Sequence, residues 1–384
     1  MTSERFRWHP AARIVTAEGS SNGVGADLKP VIPARPAAEA LKQAMAAAAA
    51  GLAFRIGGDG PPPPPGPVIE TLTSGSTGSP RRIRRAHASW IASFEVNARL
   101  FGLGPGCRVG IPGQLVQSLA LYGSIETLHL GGELHPLDML RPDHQAQAIQ
   151  VRGIEMLYAS PVQLRLITEA GVQLPSLRLV LCGGAKLDPA TCALVGSIAP
   201  NARLCEFYGA AEASFITLSD PDTPEGSVGR VYPGTELDIR DGEIWVRSPY
   251  LFEGYAGDPG PAQWQEDWLS IGEYGRLEDG YLYLHGRAGR MVTVADQNVF
   301  PEAVESFLLS LPGVTRAAAL ARPDQRRGHV IEAFVAGGDV EAVLSACRCQ
   351  LGPLAAPRRI HRIADWPLLP SGKTDLAALE RALP

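Results

Sequence analysis

Residues 155–162 read Glu-Met-Leu-Tyr-Ala-Ser-Pro-Val, residues 177–190 read Leu-Arg-Leu-Val-Leu-Cys-Gly-Gly-Ala-Lys-Leu-Asp-Pro-Ala, and residues 203–207 read Arg-Leu-Cys-Glu-Phe. The runs at 155–159, 177–182 and 203–207 are short and largely apolar, the length of strands. The first is followed by Ser160-Pro161 and the second by Asp188-Pro189. A Ser or Asp cap accepts from the unpaired amides of a first helical turn, and proline just inside the turn gives up an amide that had no partner. The order is therefore strand, helix, strand, helix, strand. Strands that alternate with helices form a parallel sheet with helices on both faces.

Upstream, the same texture continues. A strand is predicted at 68–72, a loop at 73–80, a second strand at 82–85, a helix at 89–100 and a strand at 108–111. A long apolar helix follows at 115–130, then a helix at 143–152 capped by Asp143. Residues 1–66 are uneven. Pro30, Pro33 and Pro36 break the chain, a helix is predicted at 37–52, and Pro61 to Pro65 form a stiff spacer. The alanine run from Ala46 to Ala50 reads as a surface helix.

Downstream of about 226 the pattern turns to β. Asp241-Gly242 separates runs at 237–240 and 243–246, and Asp279-Gly280 separates 274–277 and 281–284. Asp-Gly between short strands is a strong hairpin signal. Beyond Gly289 come a strand at 291–294, a helix at 302–311 opened by Pro301, strands at 314–321 and 329–335, a helix at 340–351 and a strand at 359–363. That order is close to a split βαβ sandwich. The predicted fold class is α/β: a large N-terminal domain with mainly parallel sheets flanked by helices, a small β-subdomain, and a small α+β C-terminal domain.

Composition narrows the function. The chain has 384 residues, 45% of them apolar and 20% charged, with a net charge of −5. This balance gives no electrostatic drive toward nucleic acid or an anionic membrane. Cys107, Cys182, Cys192, Cys205, Cys347 and Cys349 show no CxxC or zinc spacing and read as thiols in a reducing compartment. No apolar run reaches the ~18 residues of a membrane span, and the first residues lack the apolar core of a signal peptide. The expected location is the cytoplasm, with no nucleic-acid or membrane partner. Lysine is scarce: Lys29, Lys42, Lys186 and Lys373 are the only four.

The densest polar loop is Thr73-Ser74-Gly75-Ser76-Thr77-Gly78-Ser79-Pro80. Its glycines let successive amides converge on an anion, and its hydroxyls add donors. Arg81, Arg82, Arg84 and Arg85 follow and are expected to supply positive charge. No Gly-Lys-Ser/Thr closes the loop, so it is not a Walker loop.

Seven stretches in order over 68–376 make the chain resemble the adenylate-forming superfamily of AMP-dependent synthetases and ligases, which includes acyl-CoA synthetases, luciferases and peptide-synthetase adenylation domains. They are the loop from Thr73 to Arg81; Gly183-Gly184-Ala185; Tyr208-Gly209-Ala210-Ala211-Glu212; Trp268 to Glu273; Gly286 to Arg290; Asn298 to Glu305; and Pro370-Ser371-Gly372-Lys373. The economy at the N-terminus is similar to that of short o-succinylbenzoate–CoA ligase-like members.

The resemblance implies ATP-dependent activation of a carboxylic acid to acyl-AMP, with release of pyrophosphate, then transfer to CoA. One alternative acceptor is the phosphopantetheine of a carrier protein. Another reading is a degenerate nucleotide-binding protein without catalysis. Thr73, Ser74, Gly75, Ser76, Thr77, Gly78, Arg81, Gly183, Gly184, Ala185, Glu206, Phe207, Tyr208, Gly209 and Ala210 are expected to bind ATP or AMP, with Thr73, Ser74, Thr77 and loop amides at the phosphates, Tyr208 stacked on the adenine, and Gly183, Gly184 and Ala185 leaving room for the flat base. Glu212 is expected to bind Mg²⁺, a hard cation that prefers oxygen. Glu273 is expected at the ribose with Arg287 behind it, and Lys373 at the reacting carboxylate and α-phosphate. The expected acyl pocket holds Gln114, Leu115, Gln117 and Ser118. That stretch has no acid to pair with an ammonium group, so simple acids are favoured over α-amino acids. Partners are thus a small acid and, in the alternative reading, an acyl carrier protein; an oligomer stays open.

The implied division is a reduced segment and linker at 1–66, an adenylation core at 67–288 (α/β to about 225, β-rich at 226–288), and a mobile C-terminal domain at 289–384 hinged at Gly289. The sequence departs from the family pattern at Arg81, Ala211, Ile271, Glu273, Gly289 and Ala295-Asp296.

Overall fold

The computed structural model describes residues 4–23, 28–58, 60–73, 81–257, 259–369 and 374–383. It divides into two compact units. The first comprises Met1–Asp222, Gly229–Glu236 and Val246–Pro261; the second comprises Thr223–Val228, Leu237–Trp245 and Ala262–Pro384. No helix among the described residues is long and apolar enough to cross a membrane.

In the first unit, neighbouring strands run in the order Gly19–Ser21, Arg13–Thr16, Glu133–Pro136, Arg108–Ile111, Met156–Ala159, Leu179–Gly183, Arg203–Ala210 and Ser214–Leu218. From Arg13–Thr16 to Arg203–Ala210 the pairs are parallel. Successive residues face opposite cores, which explains the continuous apolar runs. Leu181 and Tyr158 pack with Trp90, Phe94 and Ile125 on one side. Val180, Cys182 and Leu157 pack with Leu164 and Val195 on the other.

Both anticipated helix starts are present. Ser160 and Gln163 form a reciprocal capping box at the head of Pro161–Glu169, and Asp188 Oδ1 accepts from the Thr191 amide at 2.8 Å at the head of Pro189–Ile198.

A second sheet in this unit runs Gly254–Tyr255, Arg82–Ala86, Val68–Leu72, Phe54–Ile56 and Val31–Ile32. Residues 13–56 therefore supply strands to both sheets, together with the helix Ala37–Ala49. That helix is not on the surface as expected. Ala44, Met45, Ala46, Ala47 and Ala48 are buried, because methyl side chains allow close approach and lose no rotamer freedom. Two helix boundaries also differ. Pro142 occupies the first turn of Pro142–Val151, so Arg141 is the cap and Asp143 lies inside, paired with Arg141 at 2.9 Å. The long helix begins at Ser118, because residues 114–117 form a turn closed by Gln117 N–H to the Gln114 carbonyl at 2.9 Å.

Both Asp-Gly hairpins form, with their turns in the second unit. Glu236–Arg240 pairs with Glu243–Arg247, and Glu273–Glu278 with Tyr281–Arg287. Asp241, Gly242, Asp279 and Gly280 all have positive φ, as two-residue hairpin turns require. Further on, Val292–Val294 folds back on Gln297–Val299. The three-stranded sheet Val314–Asp324, Gly328–Gly337 and Arg359–Arg362 is separate from that hairpin, so the expected split βαβ order is only partly realised. The helices Pro301–Ser310 and Val340–Gln350 contribute Val304, Leu308, Val343 and Cys347 to its core. The fold class expected from the sequence is the one observed: helix-flanked, mainly parallel sheets, then β hairpins, then a small α+β portion.

Candidate active site

In open α/β sheets, ligands bind beyond the carboxyl ends of the parallel strands. Gly183 and Phe207 stand side by side at that end of two neighbouring strands. A Cβ at Gly183 would collide with the Phe207 ring, which also packs against Phe215 with centroids 4.5 Å apart. The room expected at Gly183 for a flat base is thus taken by Phe207. Gly184 keeps the open space, since a Cβ there would meet nothing within 4 Å, and Ala185 is exposed. Glu206 points to the other face. Its Oε1 accepts from the Leu187 amide at 3.0 Å and so fixes the far end of the glycine loop. Burial pushes the Glu206 carboxyl up, against the pull of that amide.

The Arg203–Ala210 strand is longer than expected and carries Tyr208, Gly209 and Ala210. Its register slips at Tyr208/Gly209, and a Cβ at Gly209 would overlap the Ser214 carbonyl. Glycine is therefore required where the chain doubles back. Glu212 lies in the tight turn that follows, closed by Ala213 N–H to the Ala210 carbonyl at 3.1 Å. The Glu212 carbonyl accepts from the Phe252 amide at 2.8 Å, and its Oε1 accepts from Tyr255 Oη at 3.0 Å.

Thr73 and Arg81 pair at the base of the expected phosphate loop. The Thr73 amide donates to the Arg81 carbonyl at 2.8 Å and the Arg81 amide to Thr73 Oγ1 at 2.9 Å. Ser74, Gly75, Ser76, Thr77, Gly78 and Lys373 lie outside the described residues. Gln117 sits beside the base of the loop, bridged to Leu72. Gln114 and Gln117 are exposed and Ser118 half-buried, whereas Leu115 is 3% exposed and belongs to the core. It offers the expected acyl pocket no free surface.

The arginines after the loop do not act as a group. Arg82 and Arg84 reach back to buried Glu70, at 3.7 and 3.2 Å. Arg85 points the opposite way, as strand alternation dictates, and is fully buried. Its Nε donates to the Ala211 carbonyl at 3.0 Å, and its Nη1 donates to the Tyr250 carbonyl at 2.7 Å and to Ser89 Oγ at 3.0 Å. Sequence reasoning missed Arg85 and Tyr255 as neighbours of Glu212. The alternation signal was present, because Arg85 shares a strand face with buried Ile83.

In the second unit, Glu273 and Arg287 are register partners. Arg287 Nε donates to Glu273 Oε1 at 2.9 Å, and Nη2 lies 2.8 Å from the same oxygen. Glu273 is buried. Gly289 is exposed, is not among the positive-φ residues, and would admit a Cβ with nothing within 4 Å. The described conformation does not itself require glycine there.

Among the described residues no group of three His, Cys, Asp or Glu could hold a metal by itself. One oriented carboxylate, Glu212, fits Mg²⁺ of the kind that arrives with a nucleotide, since that ion takes one or two protein carboxylates plus phosphate oxygens and waters.

Comparison with known proteins shows the family. Residues 21–256 match the model of the AMP-binding enzyme family, and residues 303–373 match that of the AMP-binding enzyme C-terminal domain. The chain is 30% identical over 323 residues to the uncharacterized acyl–CoA ligase YhfT of Bacillus subtilis, covering 80% of this chain and 67% of that protein. It is 27% identical over 347 residues to the fatty acid–[acyl-carrier-protein] ligase ScoC of Streptomyces coeruleorubidus, covering 80% of this chain and 66% of that one. The solved amide bond synthetase McbA of Marinactinospora thermotolerans superposes with a TM-score of 0.74 at 27% identity, covering 91% of this chain and 79% of that one. The chain spans about two thirds of the length of these curated relatives.

Proposed function

The chain belongs to the AMP-binding enzyme family, and on that premise we propose that it activates a carboxylic acid with ATP, giving acyl-AMP and pyrophosphate, and then transfers the acyl group to the thiol of CoA. The observation that carries this reading is the Tyr208–Glu212 turn. The Phe252 amide fixes its main chain through the Glu212 carbonyl and the Tyr255 hydroxyl orients its one carboxylate, while Gly184 leaves open space at the end of the Leu179–Gly183 strand.

Positioning and charge neutralisation supply nearly all the catalysis in phosphate-transfer chemistry. Thr73, Ser74, Thr77 and the loop amides, with Arg81, hold the β- and γ-phosphates. Glu212 is the Mg²⁺ ligand, and the ion when bound neutralises charge on the phosphate oxygens. Tyr208 stacks on the adenine beside Gly184 and Ala185. Glu273, oriented by Arg287, holds the ribose hydroxyls. Lys373 contacts the acyl carboxylate and the α-phosphate as charge develops between them. Residues 289–384 rearrange at Gly289 between the two half-reactions.

Exposed Gln114 and Gln117 and half-buried Ser118 give amides and a hydroxyl but no carboxylate toward the acid. An α-ammonium group there would be desolvated unpaired. Simple aromatic or aliphatic acids are the proposed substrates. Similarity to ScoC supports a second reading of the acceptor, the phosphopantetheine arm of an acyl carrier protein.

The test is ATP–pyrophosphate exchange over a panel of simple acids and amino acids, followed by acyl transfer to CoA or to a holo-carrier protein. Exchange with simple acids is expected to exceed that with amino acids by more than tenfold. A proteinogenic amino acid as the best substrate would overturn the substrate class. Lys373→Ala is expected to lose about 10²–10³ in exchange while keeping ATP binding. Near-normal exchange in that variant would overturn its role.

A further inference from the structure

We propose that Arg85 is a positioning residue for Mg²⁺-nucleotide binding, its buried guanidinium fixing the turn that presents the Glu212 carboxylate. The inference rests on the reading of Glu212 as the Mg²⁺ ligand.

Arg85 is 0% exposed. A cation so placed is retained only where its donors are satisfied or its charge is used. Its three hydrogen bonds all go to neutral oxygens: Ala211 O, Tyr250 O and Ser89 Oγ. The fourth position, Nη2, has no partner among the described residues. No carboxylate therefore neutralises it by direct contact, and Glu212 is the first source of attraction opposing its desolvation.

The geometry is a clamp. Ala211 O belongs to the residue just before Glu212. Tyr250 O opens the segment whose Phe252 amide and Tyr255 hydroxyl hold Glu212 itself. One rigid planar fork thus fixes both strips of chain that bracket the carboxylate, and Ser89 Oγ fixes the fork. Lysine could keep the charge but not three directed bonds from one plane.

The test uses the full chain and reads Mg²⁺ binding apart from turnover. Thermal unfolding is followed without ligand, with AMP and no metal, and with ATP across a Mg²⁺ titration; pyrophosphate exchange is titrated with Mg²⁺ in parallel. Arg85→Lys is expected to unfold cooperatively and to keep the AMP-induced shift. It is expected to need roughly tenfold more Mg²⁺ for half of the ATP-induced shift and for half-maximal exchange, the loss of one charged hydrogen bond. An unchanged Mg²⁺ midpoint, or equal loss of AMP and Mg²⁺-ATP binding, overturns the proposal. If Arg85→Lys does not fold, Ser89→Ala frees the fork with the cation in place, and an unchanged midpoint in that variant overturns it equally. Glu212→Gln separates the two levels. No effect there sinks the reading of Glu212, whereas an effect there without one at Arg85 sinks only this inference.

Discussion

Tyr255 Oη donates to Glu212 Oε1 at 3.0 Å, across 43 residues of sequence. The bond holds one oxygen of the proposed metal ligand at a fixed rotamer. Tyr255→Phe removes it without emptying the site. The expected result is a rise of about tenfold or more in KM for Mg²⁺-ATP with an unchanged KM for the acid, since a hydrogen bond to a charged group is worth ~1.5–3 kcal/mol. Equal changes in both KM values would indicate a general loosening instead.

Stability is expected to depend on pH through Glu126. This carboxyl is fully buried and accepts from Tyr158 Oη, from Asn97 Nδ2 at 2.9 Å and from Tyr122 Oη at 3.3 Å. Burial nevertheless pushes it up to about 7, from an ordinary value of 4.5. Between those values the folded protein holds a proton that the unfolded chain has lost. Stability therefore falls as pH rises through this window and stays lower above it. Glu126→Gln should flatten the profile, matching the parent near pH 5 and exceeding it at pH 8 by ~1–3 kcal/mol in denaturant unfolding. Parallel profiles for the two proteins would exclude Glu126 as the source.

Ala295 and Asp296 form the two-residue turn of a hairpin with φ of 45° and 68°. Aspartate tolerates that region, but alanine pays a steric cost of ~1–2 kcal/mol. Ala295 is exposed, so glycine there loses no packing. Ala295→Gly is expected to stabilise the protein by roughly 1 kcal/mol, net of the added freedom of the unfolded chain. A lower unfolding midpoint would contradict the prediction.

Gly289 separates conformation from function. Alanine fits its described conformation, so Gly289→Ala should leave the unfolding free energy within ~0.5 kcal/mol of the parent. Gly289→Pro restricts the backbone and should block one half-reaction while sparing the other. Adenylation is read by pyrophosphate exchange and thiol transfer by acyl-CoA formation. Equal loss of both steps would mark a folding defect rather than a hinge.

Much of the fold was legible because its signals are local. Ser160 and Asp188 cap helices through amides three residues away, and the two Asp-Gly turns fix hairpins from within. The candidate site was legible in part: the motif order marked Thr73, Gly184, Tyr208 and Glu212, but not what holds them. Asp143 misled because the neighbouring proline shifted the cap by two residues. The alanine run from Ala46 to Ala50 misled because polarity alone does not say whether a small side chain faces water or a strand.

The sequence by itself determined the alternation of strands and helices and the hairpin turns, since each depends on neighbours a few positions apart, and its motif order pointed to the family that the comparisons show. Only the tertiary structure decided that Arg85 lies beneath Glu212, that Phe207 fills the space at Gly183, that Leu115 is core, and that Arg82 and Arg84 serve Glu70. These depend on strand register and on which face packs inward. Both are set by summed burial over segments far apart in the chain, and a local pattern carries no record of which distant group a side chain will meet.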